Sequence, residues 1–500
     1  MSESEGPLVR NTVLTISALV ALRLLAAAWT PLTFDEAYYW MWSKHLAGGY
    51  YDHPPGVALV IRLGTMIAGD TELGVRLVSV LLALPMSWAV FRATSILFGG
   101  VRMAATATIL LNVTLMAAVG TLIVTPDAPL LVASSFVLFS LAKVLETGRG
   151  AWWLAVGAAI GAALLSKYTA LFFGPAILIW LVSVPKLRHW LVSPWPYLGG
   201  LVALTLFSPV ILWNADHNWV SFTKQMGRAR IEDFRPFFIA ELIPTQIAFA
   251  TPLVWILGAM GLYALLTRRP GRVAGRTLVN ATFWTIALYF IWHSLHARVE
   301  ANWFAPVYPC FAIAAAVAAH ITQWGVRPQR IVDFCRHWAL PSGVLMFALL
   351  ILQANTGVLS GYWRDATVRS VGVGWRELAA EIETVRVRVG AACVLAPDYG
   401  TTGWLAFYLP KGSCVFQPTQ RIRWVNMPEP DRALLAGKLL YVDEARSVGR
   451  PYPRNVFARV ERVAELKRSR GPLTVETYAL DLLEEPKGGV LDRSPPPELQ

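Results

Sequence analysis

Charge is what this sequence has least of. Only 15% of its 500 residues are Asp, Glu, Lys or Arg, where a soluble chain of this length carries about 25%. Cysteine is scarce as well, with four residues in all and no spacing that would build a zinc site. No internal repeat is visible, which counts against transporter architectures assembled from duplicated halves. Basic residues outnumber acidic ones to give a net charge of +12. They form no concentrated patch, so nucleic-acid binding has nothing to rest on.

What the chain has instead is long uncharged runs, at 103–126, 168–185, 191–215, 242–267, 301–326 and 338–363. Each matches or approaches the roughly 20 residues that cross a hydrocarbon core of about 30 Å. Shorter candidates lie at 77–91, 128–142, 151–166 and 277–292, where flanking charges reach the interface by snorkelling. With the first run, Thr12 to Trp29, the expectation is a polytopic all-α membrane protein of about eleven spans. Lys and Arg fall in alternate loops: Arg102, Lys143 and Arg149, Lys186 and Arg188, Arg268 to Arg276, and Arg327 to Arg336. By the positive-inside rule these loops and the N-terminus are cytoplasmic, and everything after about Tyr362 is outside. Ala26-Ala27-Ala28 also admits a signal peptide, but the acids just downstream belong beside a retained helix.

Three segments follow: a transmembrane domain over 1–362, a soluble α/β domain over 363–486, and a disordered proline-rich tail over 487–500. In the second, Trp375 to Val389 has an amphipathic helical pattern, and 391–396, 413–416 and 438–442 read as short buried strands. Cys393 and Cys414 stand at the ends of two of those strands, and sequence alone leaves a disulfide between them open. Residues 35–70 are too polar to cross and too aromatic for a free loop. They read as two amphipathic helices on the outer surface, the second starting at Pro54-Pro55.

Carboxylates are costly in lipid, so acids clustered at the membrane lip mark a candidate reaction centre. The expected outer side gathers Asp35, Glu36, Asp52, His53, Asp127, Lys167, His293, His296, Arg298 and Glu300, with Lys224, Arg228, Arg230 and Arg235 in its loops. Cations retained on the outer side are explained by an anion bound there, a lipid-linked phosphate being the natural one. Each reading has a rival. Asp35, Glu36 and Asp127 equally suit helix capping, His53 suits packing against the prolines, and Lys167 suits snorkelling. Arg298 suits a pair with Glu300 alone, and Arg23 either faces the bundle or snorkels. No metal is required by this chemistry, although paired acids, or Asp52 with His53, are able to hold a divalent ion.

The stretch Phe34-Asp35-Glu36-Ala37-Tyr38-Tyr39, then Tyr51-Asp52-His53-Pro54-Pro55, resembles the first outer loop of bacterial protein O-mannosyltransferase-type glycosyltransferases of the C superfamily (GT-C). The aminoarabinose transferases of lipid A belong to that group. Thr125-Pro126-Asp127, Ser166-Lys167-Tyr168 and Ala297-Arg298-Val299-Glu300-Ala301-Asn302-Trp303 extend the resemblance, which the tail shares only in style. It implies a GT-C-like fold in the inner membrane of a bacterium and a polyprenyl-phosphate-linked sugar donor. The acceptor would be extracytoplasmic: lipid A, a glycolipid, an envelope glycan or a protein. By that resemblance Asp35, Glu36 and Asp127 would be catalytic, and Lys167, Arg298 and His53 would meet the donor phosphate. Tyr38, Tyr39, Asp52 and Glu300 would contact substrate. The aminoarabinose enzymes carry Lys before the paired prolines, so His53 points to a different sugar. A transporter or flippase for the same lipid is the alternative from another class; it predicts ionisable groups near mid-membrane instead.

Overall fold

The computed structural model describes residues 5–228, 233–320, 323–360, 365–447, 452–471 and 473–494. Arg230, the boundary at Tyr362 and the last six residues of the expected tail lie outside them. Among the described residues, six helices are long and apolar enough to cross a membrane: Glu5–Trp29, Glu72–Phe98, Asp127–Thr147, Pro194–Asp216, Ala301–His320 and Val326–Thr356. The pair Phe237–Ala250 and Pro252–Thr267 adds a seventh crossing if it is one span, bent by 105°. The break falls at Thr251, whose φ of 63° is outside the helical range, just before a proline that cannot continue the hydrogen-bond ladder. The expected eleven spans are therefore not all full-length. Val101–Val113, Trp152–Leu164 and Tyr168–Ser183 are apolar but short.

Lipid offers no hydrophobic drive between helices, so close backbone approach does the packing. Trp152–Leu164 meets Pro194–Asp216 at Gly157 and Gly199, where a Cβ on Gly157 would stand 2.0 Å from the Gly199 carbonyl oxygen. Arg23, inside the first helix, faces the bundle and not the lipid. It is buried and donates to the Asn112 carbonyl at 2.6 Å and to Thr121 Oγ1 at 3.3 Å.

After Trp29 the chain forms a short helix, Phe34–Lys44, and a second, Gly56–Ala68. The small domain docks on the first of these. Trp404 Nε1 donates to the Leu32 carbonyl at 2.9 Å, the Gly372 amide donates to the same oxygen at 2.7 Å, and Thr33 bridges Val371. The domain's sheet runs β2 (Cys414–Phe416), β1 (Cys393–Leu395), β3 (Leu439–Glu444), β5 (Leu473–Pro486), β4 (Phe457–Arg470). β1 is parallel to both its neighbours, and β5 is antiparallel to both of its own. Cys393 and Cys414 lie opposite each other in register and form the disulfide.

Two sequence expectations change here. β4 and β5 are a long hairpin that strand patterning did not show, because charged residues such as Arg459, Glu461, Arg462 and Glu465 interrupt its apolar positions. The stretch expected to be a disordered tail from Lys487 is tied down as far as it is described. The Lys487 amide bonds the Val456 carbonyl, that of Asp492 bonds Pro418, and Val490 is buried.

Candidate active site

The first acidic pair divides into two different roles. Thr33 caps the Phe34–Lys44 helix in a reciprocal capping box: its side chain accepts from the Glu36 amide at 3.3 Å, and Glu36 Oε2 accepts from the Thr33 amide at 2.9 Å. Glu36 is fully buried and also takes Arg76 Nε at 2.7 Å, Arg76 Nη2 at 2.6 Å and the Val124 amide at 3.0 Å. Its acceptor capacity is filled. The resemblance pointed to Glu36 as catalytic, but here it is the knot between a cap and a buried ion pair. Arg76 extends that knot to the end of the first helix, donating to the carbonyls of Ala27, Thr30 and Pro31.

Asp35, one residue earlier on the helix, caps nothing. Its Oδ1 accepts the Tyr399 hydroxyl at 3.2 Å, a group supplied by the small domain. Burial pushes the Asp35 carboxyl up to about 6, helped by the neighbouring charges of Asp52 and Glu36 and opposed by Tyr399 and Arg423.

Asp52 sits beside it and is occupied. Lys224 Nζ donates at 2.5 Å, Arg423 Nη1 at 2.7 and 2.6 Å, and the Tyr38 hydroxyl at 2.9 Å. Burial alone would raise its carboxyl, but Arg423 and Lys224 overrule burial and hold it well below the ordinary carboxylate range. Asp52 and Tyr38, expected to contact substrate, are engaged with groups of the protein itself. Asp52 spends its oxygens on two cations, and the buried Tyr38 ring packs between Trp42, Tyr399 and Trp424. Tyr39 packs on Trp42 and faces His53; burial, then the Asp35 charge, raises its phenol well above normal.

Lys167 and Asp127 meet from separate turns. Lys167 Nζ donates to Asp127 Oδ1 at 2.7 Å, and Asn302 Nδ2 donates to Oδ2 at 2.6 Å. Asp127, expected to be catalytic, is held between Lys167 and Asn302. Lys167 lines a cavity of 660 Å³ with His53, Tyr168, Trp219, Arg228 and Trp303. The wall is largely apolar, with the cations Lys167 and Arg228 among its residues. His53 is no fixed cation there: burial, then Lys167, press its imidazole down to about 3, so it is neutral near pH 7.

Arg298 lies elsewhere. It is 59% exposed and bonded to Glu241 at 2.9 and 2.5 Å, with Glu300 at 3.7 Å. The turn at 294–303 presents Asn302 to the site, so Arg298 and the exposed Glu300 point outward. Sequence reasoning missed Arg76, Tyr399, Arg423 and Glu241. Arg76 alone had a signal, as a lone cation at the end of an apolar helix. Among the described residues no three His, Cys, Asp or Glu side chains come together as a metal-ligand set.

Residues 52–213 match the family described as dolichyl-phosphate-mannose-protein mannosyltransferase. The chain is 26% identical over 344 residues, 68% of its length and 72% of the relative's, to the lipid A galacturonosyltransferase RgtD of Rhizobium johnstonii. ArnT from Cupriavidus metallidurans shares the fold: TM-score 0.64 in the apo state, at 16% identity, covering 94% of this chain and 97% of that one. The undecaprenyl-phosphate-bound form of that protein gives a TM-score of 0.63 over the same shares. A mannosyltransferase family match over residues 52–213, a transferase relative across two thirds of the chain and this fold agree. By sequence the chain is thus similar to membrane-lipid glycosyltransferases, and its fold is that of ArnT.

Proposed function

We propose that this protein moves a sugar from a polyprenyl-phosphate carrier to a hydroxyl of an extracytoplasmic acceptor, lipid A or a related envelope glycolipid. One observation carries the reading: Asp35 is held near 6 by burial, with the Tyr399 hydroxyl on one oxygen. A carboxylate tuned toward neutral pH suits a general base. Asp35 takes the acceptor's proton, and that oxygen bonds to the anomeric carbon from the face opposite the phosphate. The bond from carbon to phosphate oxygen breaks, its electron pair leaving with the carrier, so configuration inverts. Lys167 and Arg228, in the wall of the 660 Å³ cavity, stabilise the departing phosphate. A second cavity, 440 Å³ and walled by Leu242, Trp255, Leu262, Phe283 and Phe311, suits an isoprenoid tail. The disulfide of the small domain favours placing that domain in the periplasm and the N-terminus in the cytoplasm, since disulfides persist in oxidising compartments.

Reconstituted protein given radiolabelled carrier-linked sugars is expected to transfer label to acceptor. Label that crosses the bilayer untransferred would favour the transporter instead. Lys167→Met removes a charged hydrogen bond of roughly 1.5–3 kcal/mol, so the donor KM should rise about 10- to 100-fold, with kcat less affected. The proposed mechanism uses no metal, and transfer in the presence of excess EDTA should stay near its untreated rate; loss restored by Mg²⁺ or Mn²⁺ would overturn that part.

A further inference from the structure

A polar cavity has Tyr399 in its wall. It measures 430 Å³ and is walled by Phe34, Arg369, Asp398, Tyr399, Glu444 and Arg468, among others. Phe34 precedes Asp35 in the chain, and Tyr399 bonds Asp35 through its hydroxyl. This cavity and the base therefore share a wall.

Its charged groups are hydrogen-bonded or ion-paired with one exception, Arg468, which feels the charges of Glu476 and Glu444 but leaves two donors unmet. Arg369 pairs with Glu476 at 3.2 Å and Glu444 at 3.8 Å, and Arg446 reaches the same two acids at 3.3 and 2.7 Å. Asp398 caps the Tyr399–Tyr408 helix, accepting from the Thr401 amide at 2.8 Å and the Thr401 hydroxyl at 3.0 Å. Arg468, on β4, is 1% exposed. One of its nitrogens, Nη2, donates to the Arg369 carbonyl at 3.2 Å, and its guanidinium lies 5.3 Å from the Trp404 ring centre. Its Nε and Nη1 are buried without a partner. A buried charged donor left unmatched is destabilising, and such groups are served by something in native proteins. An acceptor oxygen, preferably anionic, answers the Arg468 fork. The surrounding carboxylates answer hydroxyl donors. A wall of that mixture fits a sugar that carries an anion.

We infer that this cavity binds the anionic, hydroxyl-rich sugar headgroup of the acceptor, with Arg468 as its anchor, so that the headgroup's hydroxyl is delivered to Asp35 past Tyr399. The inference rests on the transferase reading above and names the place where its acceptor enters.

Binding tests it without requiring transfer. Full-length protein in nanodiscs is titrated with tritiated bis-phosphorylated lipid A, with the same lipid enzymatically dephosphorylated, and with undecaprenyl phosphate. Arg468→Gln should weaken the phosphorylated lipid A tenfold or more and leave undecaprenyl phosphate within twofold. Dephosphorylation should weaken binding to the unaltered protein by a similar factor. Ala366→Trp, which fills the cavity and keeps every charge, should also cost tenfold. If Arg468→Gln loses both ligands through misfolding, Ala366→Trp decides by the same criterion. Phosphorylated lipid A held by Ala366→Trp within twofold of the unaltered protein overturns the proposal. Failure of the transferase reading shows separately, as carrier-linked sugar that the unaltered protein never transfers.

Discussion

Asp35→Asn is expected to lower turnover at least a hundredfold while carrier-lipid binding stays within about twofold, because general-base catalysis is worth roughly 10²–10⁴. The substitution keeps shape and the Tyr399 hydrogen bond but removes the proton acceptor. Single-turnover transfer from a carrier-linked sugar measures the chemical step, and equilibrium binding of undecaprenyl phosphate measures the other half. Turnover near that of the unaltered protein would remove Asp35 from the base role and leave it orienting the acceptor. Acidity gives an independent reading. The carboxyl titrates near 6 and acts as its anion, so the rate should fall about tenfold per pH unit below that point. Above it the rate should level off, and any residual rate in Asp35→Asn should lack this acid limb.

The same shift has a consequence for stability. A carboxyl whose folded value is raised binds its proton more tightly in the native state than in the unfolded one. This contribution is fully present below the ordinary Asp range and is lost as pH rises through about 6. At neutral pH the ionised Asp35 therefore weighs against the fold, and Asp35→Asn should raise Tm while it destroys turnover. A fall in Tm would mean that the carboxylate is stabilised by its surroundings.

The second large effect is structural. Glu36→Ala or Arg76→Met should remove about 3–5 kcal/mol, because each leaves its buried partner uncompensated. Both side chains are 0% exposed, so water cannot replace the lost charge. Detergent-solubilised Tm and the yield of monodisperse protein measure this. The double variant should recover only part, since the carbonyls of Ala27, Thr30 and Pro31 also lose their donor. Either single variant with unchanged Tm would show that the pair contributes nothing net.

These two residues show how far the sequence reaches. The acidic pair at the lip was visible as a cluster, and apolar run length located most of the helices. Dividing the pair was also within reach: Thr33-Phe34-Asp35-Glu36 has the capping-box spacing, which assigns Glu36 to the cap and leaves Asp35 over. Asp127 and Lys167 were legible as residues but not as partners, because 40 residues separate them and only the fold sets that contact. The resemblance pointed to Arg298, but its pairing with Glu241, 57 residues away, is set by the fold and had no sequence signal. Tyr399 and Arg423 had no signal at all. They sit more than 360 residues from the acids they touch, in a domain whose sequence gives only short strands and a helix.

That long reach sets a timetable for biosynthesis. The ribosome delivers Asp35 to the membrane among the first residues, and Arg423 and Tyr399 arrive only when four fifths of the chain has been made. β5, which pairs with both β3 and β4, follows almost at the end. A nascent or truncated copy would present Asp35 without the Tyr399 hydroxyl and the Arg423 charge, both of which pull its carboxyl down. The contacts that join the two acids to the small domain therefore exist only once that domain has been made and docked.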